Sequence, residues 1–436
     1  MLKLRKFKVI EAFSGIGSQA KAIEKAGLDH WKILNTIEWD INAIIAYYFI
    51  HFNGSNLSRY KFMDEDEIDR IIDKYPLSMD GKSQMTVSQR KRISNEIKWR
   101  LAAAIENTSN LGSIASLKGE DLNDDIDLLT YSFPCQDLSI AGVWHGLNTG
   151  ISKDVSNRSG MLWEVERLLV NKFENERKLP TFLLMENVSN ILSHRHKSDF
   201  EMWQKNLEKM GYRNKVYKLN AANFGIPQNR ERVFMVSVQI GQNSRIAPVI
   251  EEILENNSFI YNSDDAVFQK PVKPIKEFLR MNYSVEKYKL EADESQPNDT
   301  PSRRRIWFDN IKIFDSEGRY TDRLIPTITT KQDRNPNSGV IYYNDSSNSN
   351  KANFRYLTPR ECFLLMGFEE RDYEALIANN FRVGERGLFF TQAKLIKMAG
   401  NSIVVDVLVE IFKLIEEMNI IIIQDSELGI KAINVG

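Results

Sequence analysis

Cysteine is almost absent from this chain: Cys135 and Cys362 are the only two among 436 residues. Two thiols so far apart build neither a disulfide framework nor a zinc site. They suit a reducing compartment with both side chains free, and the cytoplasm is the expected location. An excess of one charge is absent too, since 58 Lys and Arg face 59 Asp and Glu for a formal net charge of −1. That balance does not announce a nucleic-acid partner, although binding needs a basic face and not a basic total. Long hydrophobic runs are missing as well. Nothing approaches the roughly 18 apolar residues of a membrane span, and IIII at 420–423 is far too short. The opening MLKLRKFKVIEAF is basic but carries no apolar signal region and no cleavage site. A soluble, unexported protein without a membrane partner is expected. No internal repeat is visible.

What is present is an ordinary globular composition, 42% hydrophobic and 27% charged. The chain is long enough for two or three domains of about 100–200 residues. Residues 4–10 read as a strand leading through EAFSGIG into a helix with Ala20, Ile23 and Ala26 at helical spacing, ending at Gly27. KILNTIEW (32–39), IDLLTYSF (126–133) and PTFLLMENV (180–188) are apolar strands, with helices at AIIAYYFIHF (43–52) and MLWEVERLLVNKF (161–173). NKVYKLNAANFG (214–225) and ERVFMVSV (231–238) pattern as a strand, a turn and an adjacent strand. Strands alternating with helices predict an α/β fold whose parallel sheet is covered by helices on both faces.

After Val238 the pattern changes. Residues 241–350 hold polar clusters such as DESQPNDTPS and NDSSNSN, with scattered aromatics and no helix–strand rhythm. The expected division is 1–240, a second, smaller and irregular domain at 241–350, and a part at 351–436 that returns to the first unit. In that last part AKLIKMAG and residues 404–418 read as helices. An insertion runs from 53 to 115, longer than an ordinary connection between strands. Within it SQRKRISNEIKWR (88–100) is locally basic, a solvated helix face in the plain reading and a phosphate-contacting helix in the sharper one.

FSGIG (13–17) places glycines between a strand and a helix, where the backbone can approach a ligand at the helix N-terminus. Such a motif is often only a tight turn, and Ala20 stands where the dinucleotide fingerprint has its third glycine. Glu38 and Trp39 follow at the end of the next strand. The acid suits ribose hydroxyls and the indole suits adenine, so an adenosine-containing ligand is expected.

Cys135, in TYSFPCQDLS, comes just after an apolar strand. A free cysteine is usually a small buried hydrophobe, yet the carboxyl end of a parallel strand is the rim where α/β ligands bind. MENV (185–188) brings Glu186 to the same rim, where Leu184, Met185 and Val188 would desolvate its carboxyl and favour a proton donor. In PQNRER (227–232), Gln228, Arg230 and Arg232 alternate and so share one strand face. Three polar side chains on a core strand are costly unless a site uses them.

A thiolate, a protonatable carboxyl and arginines beside an adenosine ligand suit one chemical problem. C5 of cytosine is too weak a nucleophile to take a methyl group directly. Thiolate addition at C6, with a proton supplied at N3, turns C5 into an enamine carbon able to attack a methyl sulfonium. Here the chain resembles a known family, the DNA (cytosine-5) methyltransferases. FSGIG, EW, SFPCQDLS, RSGMLWEVER, LLMENV, NAANFGIPQNRERVF, RYLTPRECFLLMGF and GNSIVVDVL match its motif blocks in order over residues 9 to 408. The wording is similar to bacterial and mycoplasmal modification enzymes.

The resemblance implies a Rossmann-like S-adenosylmethionine-dependent sheet and, at 241–350, a target-recognition domain. The implied reaction methylates C5 of a cytosine flipped out of double-stranded DNA, with S-adenosylmethionine as methyl donor and no metal. By position, Cys135 would attack C6, Glu186 would contact N3 and the exocyclic amine, Arg232 would hold O2, and Arg230 would support the site. Phe13, Gly15 and Gly17 would line the methionine end of the cofactor, Glu38 its ribose, Trp39 its adenine and Pro134 its edge, with Asn401 and Ser402 closing the pocket. Gln136 to Arg158 corresponds to a mobile loop that closes over DNA, which makes Gln136, Ser139 and Arg158 candidate DNA contacts. Thr327 and Thr329, in PTITT, would lie near the flipped base, and Arg303, Arg304 and Arg305 are either further DNA contacts or, as a bare basic triplet, a solvated loop.

Some positions depart from the family's pattern. Ser18 and Ser132 replace glycines, and Ser116 stands near the place of the acid that contacts the adenine amine, with Glu120 and Asp121 nearby. That contact stays unassigned. Cys362 would be a packed core thiol. A monomer is expected, acting alone or with a restriction endonuclease that cuts the same site. Two other readings are a transfer-RNA methyltransferase and a silent DNA binder on the same scaffold. The long variable region argues against the first and an intact Cys135, Glu186 and Arg232 against the second.

Overall fold

The computed structural model describes residues 5–133, 161–241, 245–257, 270–335, 337–344 and 350–434. Its framework is a six-stranded sheet built from β1 (Phe7–Ala12), β2 (Trp31–Ile37), β3 (Leu128–Tyr131), β4 (Phe182–Val188), β5 (Tyr212–Asn220) and, after the two-residue β6 (Gln228–Asn229), β7 (Glu231–Gln239). The strand order is β2-β1-β3-β4-β7-β5. β1 through β4 pair in parallel, whereas β7 runs antiparallel to both β4 and β5. The sheet is therefore mixed and not wholly parallel as the sequence pattern predicted. The turn between β5 and β7 is short, and a short connection can return only to an antiparallel neighbour.

Alternation along the strands divides the core in two. Phe182 and Leu184 of β4, with Phe234, Val236 and Val238 of β7, join the larger cluster on one face. Leu183 and Met185, with Val233 and Met235, join the cluster on the other. Because both faces are covered, the strands read as near-continuous apolar runs. The second face is covered by the helices Met161–Glu174 and Lys197–Lys209, through residues such as Leu162, Val165, Leu169, Phe200 and Trp203. On the first lie α1 (Ser18–Lys25), α2 (Ile41–Phe52) and the long helix Val405–Asn434, which extends well past the 404–418 expected from sequence. α2 is apolar almost all round, and Ile41 to Ile50 are all buried, as a helix walled in on every side should be.

The 53–115 insertion is helical. It forms α3 (Leu57–Lys61), α4 (Glu65–Asp73), α5 (Val87–Lys91) and α6 (Asn95–Asn107), and its Ile68, Ile72, Ile97 and Leu101 belong to the larger core. The basic stretch 88–100 is used inside this unit. Arg90 donates to Asp73 and to the carbonyls of Ile72 and Tyr75, and Lys98 pairs with Asp69 at 2.6 Å. Arg100 lies between the rings of Trp99 and Phe381, 3.8 and 3.9 Å from their centroids, and also reaches Glu96. Only Lys91 and Arg92 among these cations are exposed.

The 241–350 stretch holds more regular structure than its composition predicted. Three helices fall within it, Ala247–Glu255, Glu286–Glu294 and Pro301–Asp309. The first packs on β5, where Tyr217 donates to the Leu254 carbonyl and Arg213 pairs with Glu251. The other two have little amphipathic pattern, which is why periodicity missed them. A small sheet of β8 (Lys312–Phe314), β10 (Val340–Tyr342) and β11 (Phe354–Arg355) follows, while β9 (Ile325–Pro326) pairs with β6. At its junction with the helix Pro359–Leu365, Arg355 and Glu361 form a fully buried ion pair at 2.8 Å.

Candidate functional site

β2 and β3 lie on opposite sides of β1, so the chain leaves the carboxyl end of β1 at a topological switch point, where α/β ligands sit. The turn there is strained. Phe13, Gly15 and Gly17 all have positive φ, at 57°, 54° and 83°, and a non-glycine residue in that region is held only where its surroundings impose it. The two glycines serve different ends. A β-carbon on Gly15 would meet nothing within 4 Å, whereas one on Gly17 would strike the rings of His51 and Tyr47. Gly17 thus permits packing against α2, and Gly15 leaves open space above the turn.

Glu38 ties that turn to the end of β2. One carboxylate oxygen accepts from Gly15 N at 3.1 Å, and the other from the N–H groups of Trp39 and Asp40 at 2.8 Å. Burial and the neighbouring Asp40 push its pKa up to about 7 against the pull of those N–H groups. An open turn beside a carboxylate with acceptor capacity to spare fits the hydroxyls of a ribose. Beneath the turn, Glu11 of β1 accepts from Ala20 N and from the Tyr47 hydroxyl at 2.6 Å, and burial raises it to about 7 as well. Nothing in the sequence singled out Glu11 or Tyr47.

The carboxyl end of β4 carries the second group of residues. Glu186 stands 3.4 Å from the Arg232 guanidinium on β7, and its side chain is only 13% exposed. Burial raises its pKa, and Arg232 and Arg230 oppose that rise. The carboxyl is thereby biased towards a proton donor. Next to it Asn187 donates to the Phe133 carbonyl at 3.2 Å, which anchors the last described residue before Pro134 and Cys135. Pro134, Cys135, Gln136, Ser139 and Arg158 lie outside the described residues. Gln19, which no sequence motif marks, lines a narrow crevice with Glu186, Ser132 and Ile403.

Gln228, Arg230 and Arg232 do alternate inward, with Gln228 and Arg230 buried and Asn229 exposed. Arg230 sits between β6 and β7, close enough to Glu186 to oppose the rise of its pKa, and its guanidinium joins two other segments. It donates to the Ile328 carbonyl at 2.9 Å and to those of Gly400 and Ser402 at 3.1 and 2.7 Å. Gln228 accepts from Ile328 N and donates to the Leu365 carbonyl. Thr327 donates to the Asn229 carbonyl and Thr329 to that of Lys331. Asn401 is exposed, and the Ser402 hydroxyl donates back to Met398.

The remaining candidates have plainer surroundings. Arg303, Arg304 and Arg305 lie on the helix Pro301–Asp309 and pair with Asp333, Asp299 and Asp309. Cys362 is fully buried and its thiol is pushed up by burial. Ser116, Glu120 and Asp121 are exposed on short 3-10 turns. Among the described residues no cluster of His, Cys, Asp and Glu could hold a metal ion, and no helix is long and apolar enough to cross a membrane.

Residues 87–417 match the family model of the C-5 cytosine-specific DNA methylases. The chain belongs to that family. Among the family's sequences, the orphan methyltransferase M.SssI of Spiroplasma monobiae is 33% identical over 416 residues, covering 93% of this chain and 96% of its own length. The type II methyltransferase M2.ScrFI of Lactococcus lactis subsp. cremoris is 30% identical over 411 residues, covering 93% and 98%. The fold is shared with the crystal structure of S. pombe Dnmt2 methyltransferase, at a TM-score of 0.56 and 18% identity over 95% of this chain and 99% of that one. The Entamoeba histolytica methyltransferase EhMeth gives a TM-score of 0.53 at 15% identity over 95% and 99%. The enzyme is a cytosine-C5 DNA methyltransferase by family, and its α/β architecture is the family's.

Proposed function

We propose that this chain methylates C5 of cytosine within a short recognition sequence of double-stranded DNA, using S-adenosylmethionine and a transient bond between Cys135 and C6. The observation that carries this reading is the pairing of a largely buried Glu186, whose pKa burial raises, with Arg232 on the rim that also bears the open Gly15 turn and Glu38. S-adenosylmethionine supplies an electrophilic methyl group when bound. Gly15 leaves room for it and Glu38 takes its ribose hydroxyls, with Trp39, Phe13, Pro134, Asn401 and Ser402 around it.

The target base must leave the helix, because C6 cannot be reached in a stacked pair. Glu186 then donates to N3 and Arg232 to O2, which draws electron density from C6. The Cys135 thiolate adds there as N3 takes the proton of Glu186, and the electron pair displaced towards C5 would be received by the cofactor's methyl carbon as its bond to the sulfonium sulfur breaks and leaves a neutral thioether. Water would take the C5 proton, whose electron pair expels the Cys135 thiolate while the N3 proton returns to Glu186 and the ring is restored. Arg230 holds the surrounding backbone in place. The 241–350 region serves as the target-recognition domain, with 1–240 and 351–436 forming the catalytic one. The relatives include one described as orphan and one as type II, so the chain acts alone or beside a restriction enzyme.

Bisulfite sequencing of a plasmid from a host that lacks cytosine methylation, expressing this chain, tests the proposal. Protected cytosines in one recurring motif are expected. A fully converted plasmid, with folded protein and cofactor present, would overturn it and favour RNA or a silent binder.

A further inference from the structure

The residues carried over to the cofactor (Asn401, Ser402) and those carried over to the target base (Thr327, Thr329) belong to segments more than seventy residues apart. In the fold they come close at Gly400. A β-carbon at Gly400 would stand 2.5 Å from the carbonyl carbon of Thr329 and 2.6 Å from its oxygen and from Thr330 N. Those are backbone atoms, so no rotamer change relieves the clash. Gly400 lies in the helix Gln392–Asn401 and its φ is not positive. Glycine is a poor helix former there, and close approach is what requires it.

Arg230 bridges the same junction. One guanidinium nitrogen holds Ile328 O, and the other holds Gly400 O and Ser402 O. Gln228 and Asn229 fasten the 327–328 side further, through Ile328 N and the Thr327 hydroxyl. The two segments are thus drawn together by Arg230 and allowed to meet only because residue 400 has no side chain.

We infer that Gly400 is a positioning residue that sets the separation between the methyl donor and the target base, an inference that rests on the function proposed above. An alanine would need its neighbours at about 3.4 Å, so the segments must part by roughly 1 Å. Each pocket keeps its own contacts while the distance between them changes. A misplacement of about 1 Å can lower the rate of a positioned reaction by roughly 100-fold. The loss falls on kcat, because binding to each pocket separately is retained.

The test is Gly400→Ala in the full chain, assayed on duplex DNA well below its melting temperature, with kcat counted per cofactor-binding site. The expected result is a kcat lower by roughly 100-fold with both KM values within about threefold of wild type. A kcat per site within threefold of wild type overturns the inference, as does a rise in either KM with kcat unchanged. If the alanine variant does not fold, Arg230→Lys takes its place. Lysine keeps the positive charge near Glu186, but its single nitrogen cannot span carbonyls that the guanidinium reaches with two. The same split in kcat is then expected, and an unchanged kcat counts against the inference. Hydrogen exchange gives a readout independent of activity: amides of residues 327–331 and 401–404 should exchange faster in whichever variant folds. A wild-type chain without methylation activity would sink the functional reading, and unchanged exchange in the variants would sink the junction.

Discussion

Arg232 and Glu186 meet across an antiparallel pair: Arg232 lies opposite Val188, Glu186 opposite Phe234, and the side chains close the diagonal to 3.4 Å. The relationship exists because β7 inserts between β4 and β5 against their direction. A parallel neighbour in that slot would end its strand on the rim where β7 begins. The arginine at the start of β7 therefore arrives at the rim where the glutamate of β4 ends. Burial lifts the carboxyl towards its protonated form and the arginine restrains it, leaving a group poised to share a proton with a base.

Glu186→Gln should lower kcat by roughly 10²–10⁴-fold, the usual worth of a positioned acid, with a smaller change in the KM for DNA. On the proposed mechanism the protonated carboxyl is the working form. Activity should fall as pH rises through the raised pKa of Glu186, and the glutamine variant should lose that limb. A methyl-transfer assay across pH checks both, and a variant with near-normal kcat would remove Glu186 from the chemistry.

The two thiols should behave differently. Cys362 is fully buried and held protonated, and the thiolate is the reactive form. Iodoacetamide on the native chain should therefore label Cys135 alone, and Cys135→Ser should take up none. The same variant should still bind duplex DNA while methylating nothing. Mass spectrometry of the labelled chain and a gel-shift measurement decide the matter. Labelling at Cys362 in native protein would contradict its burial.

Glu11 supplies a prediction about stability. Burial in the folded chain lifts its pKa to about 7, from an ordinary carboxyl value of 4.5. Between those values the folded state binds more protons than the unfolded one, so its contribution to stability is lost as pH rises through about 7. The difference corresponds to roughly 3 kcal/mol at alkaline pH. Glu11→Gln removes the titration, so its stability relative to wild type should improve from about pH 5 and level off above about pH 7. Denaturant melts at several pH values measure this, and a pH-independent difference would count against it.

Arg100 offers a test of the basic stretch. Sandwiched between Trp99 and Phe381, it should matter for stability and not for DNA. Arg100→Ala is expected to destabilise the fold by about 1–3 kcal/mol while leaving the salt dependence of DNA binding unchanged. Each phosphate contact contributes about 0.9 to that slope, so a slope reduced by one in the variant would return Arg100 to the DNA interface.

Much of this molecule was legible in the sequence because the signals are local. The glycine turn, the apolar strands and the acid at the end of β4 each follow from a few neighbouring residues, and burial of Glu186 was foreseeable from Leu184, Met185 and Val188 beside it. The helices Glu286–Glu294 and Pro301–Asp309 were not legible, since neither carries an apolar stripe and each is held by partners distant in sequence. Glu291, for instance, is paired with Arg360. The basic run 88–100 was ambiguous for a related reason: which cations face solvent depends on Asp73, Asp69 and Phe381, and sequence order says nothing of them.

The sequence by itself determined the family, because motif blocks matched in order identify it wherever the fold places them. The tertiary structure decided the distance between the Glu186 carboxyl and the Arg232 guanidinium. The antiparallel course of β7 brought Arg232 to Glu186, and the missing side chain at Gly400 let residues 329 and 400 come together. Long-range separations of this kind follow from how strands order and backbones pack, and no local pattern records them.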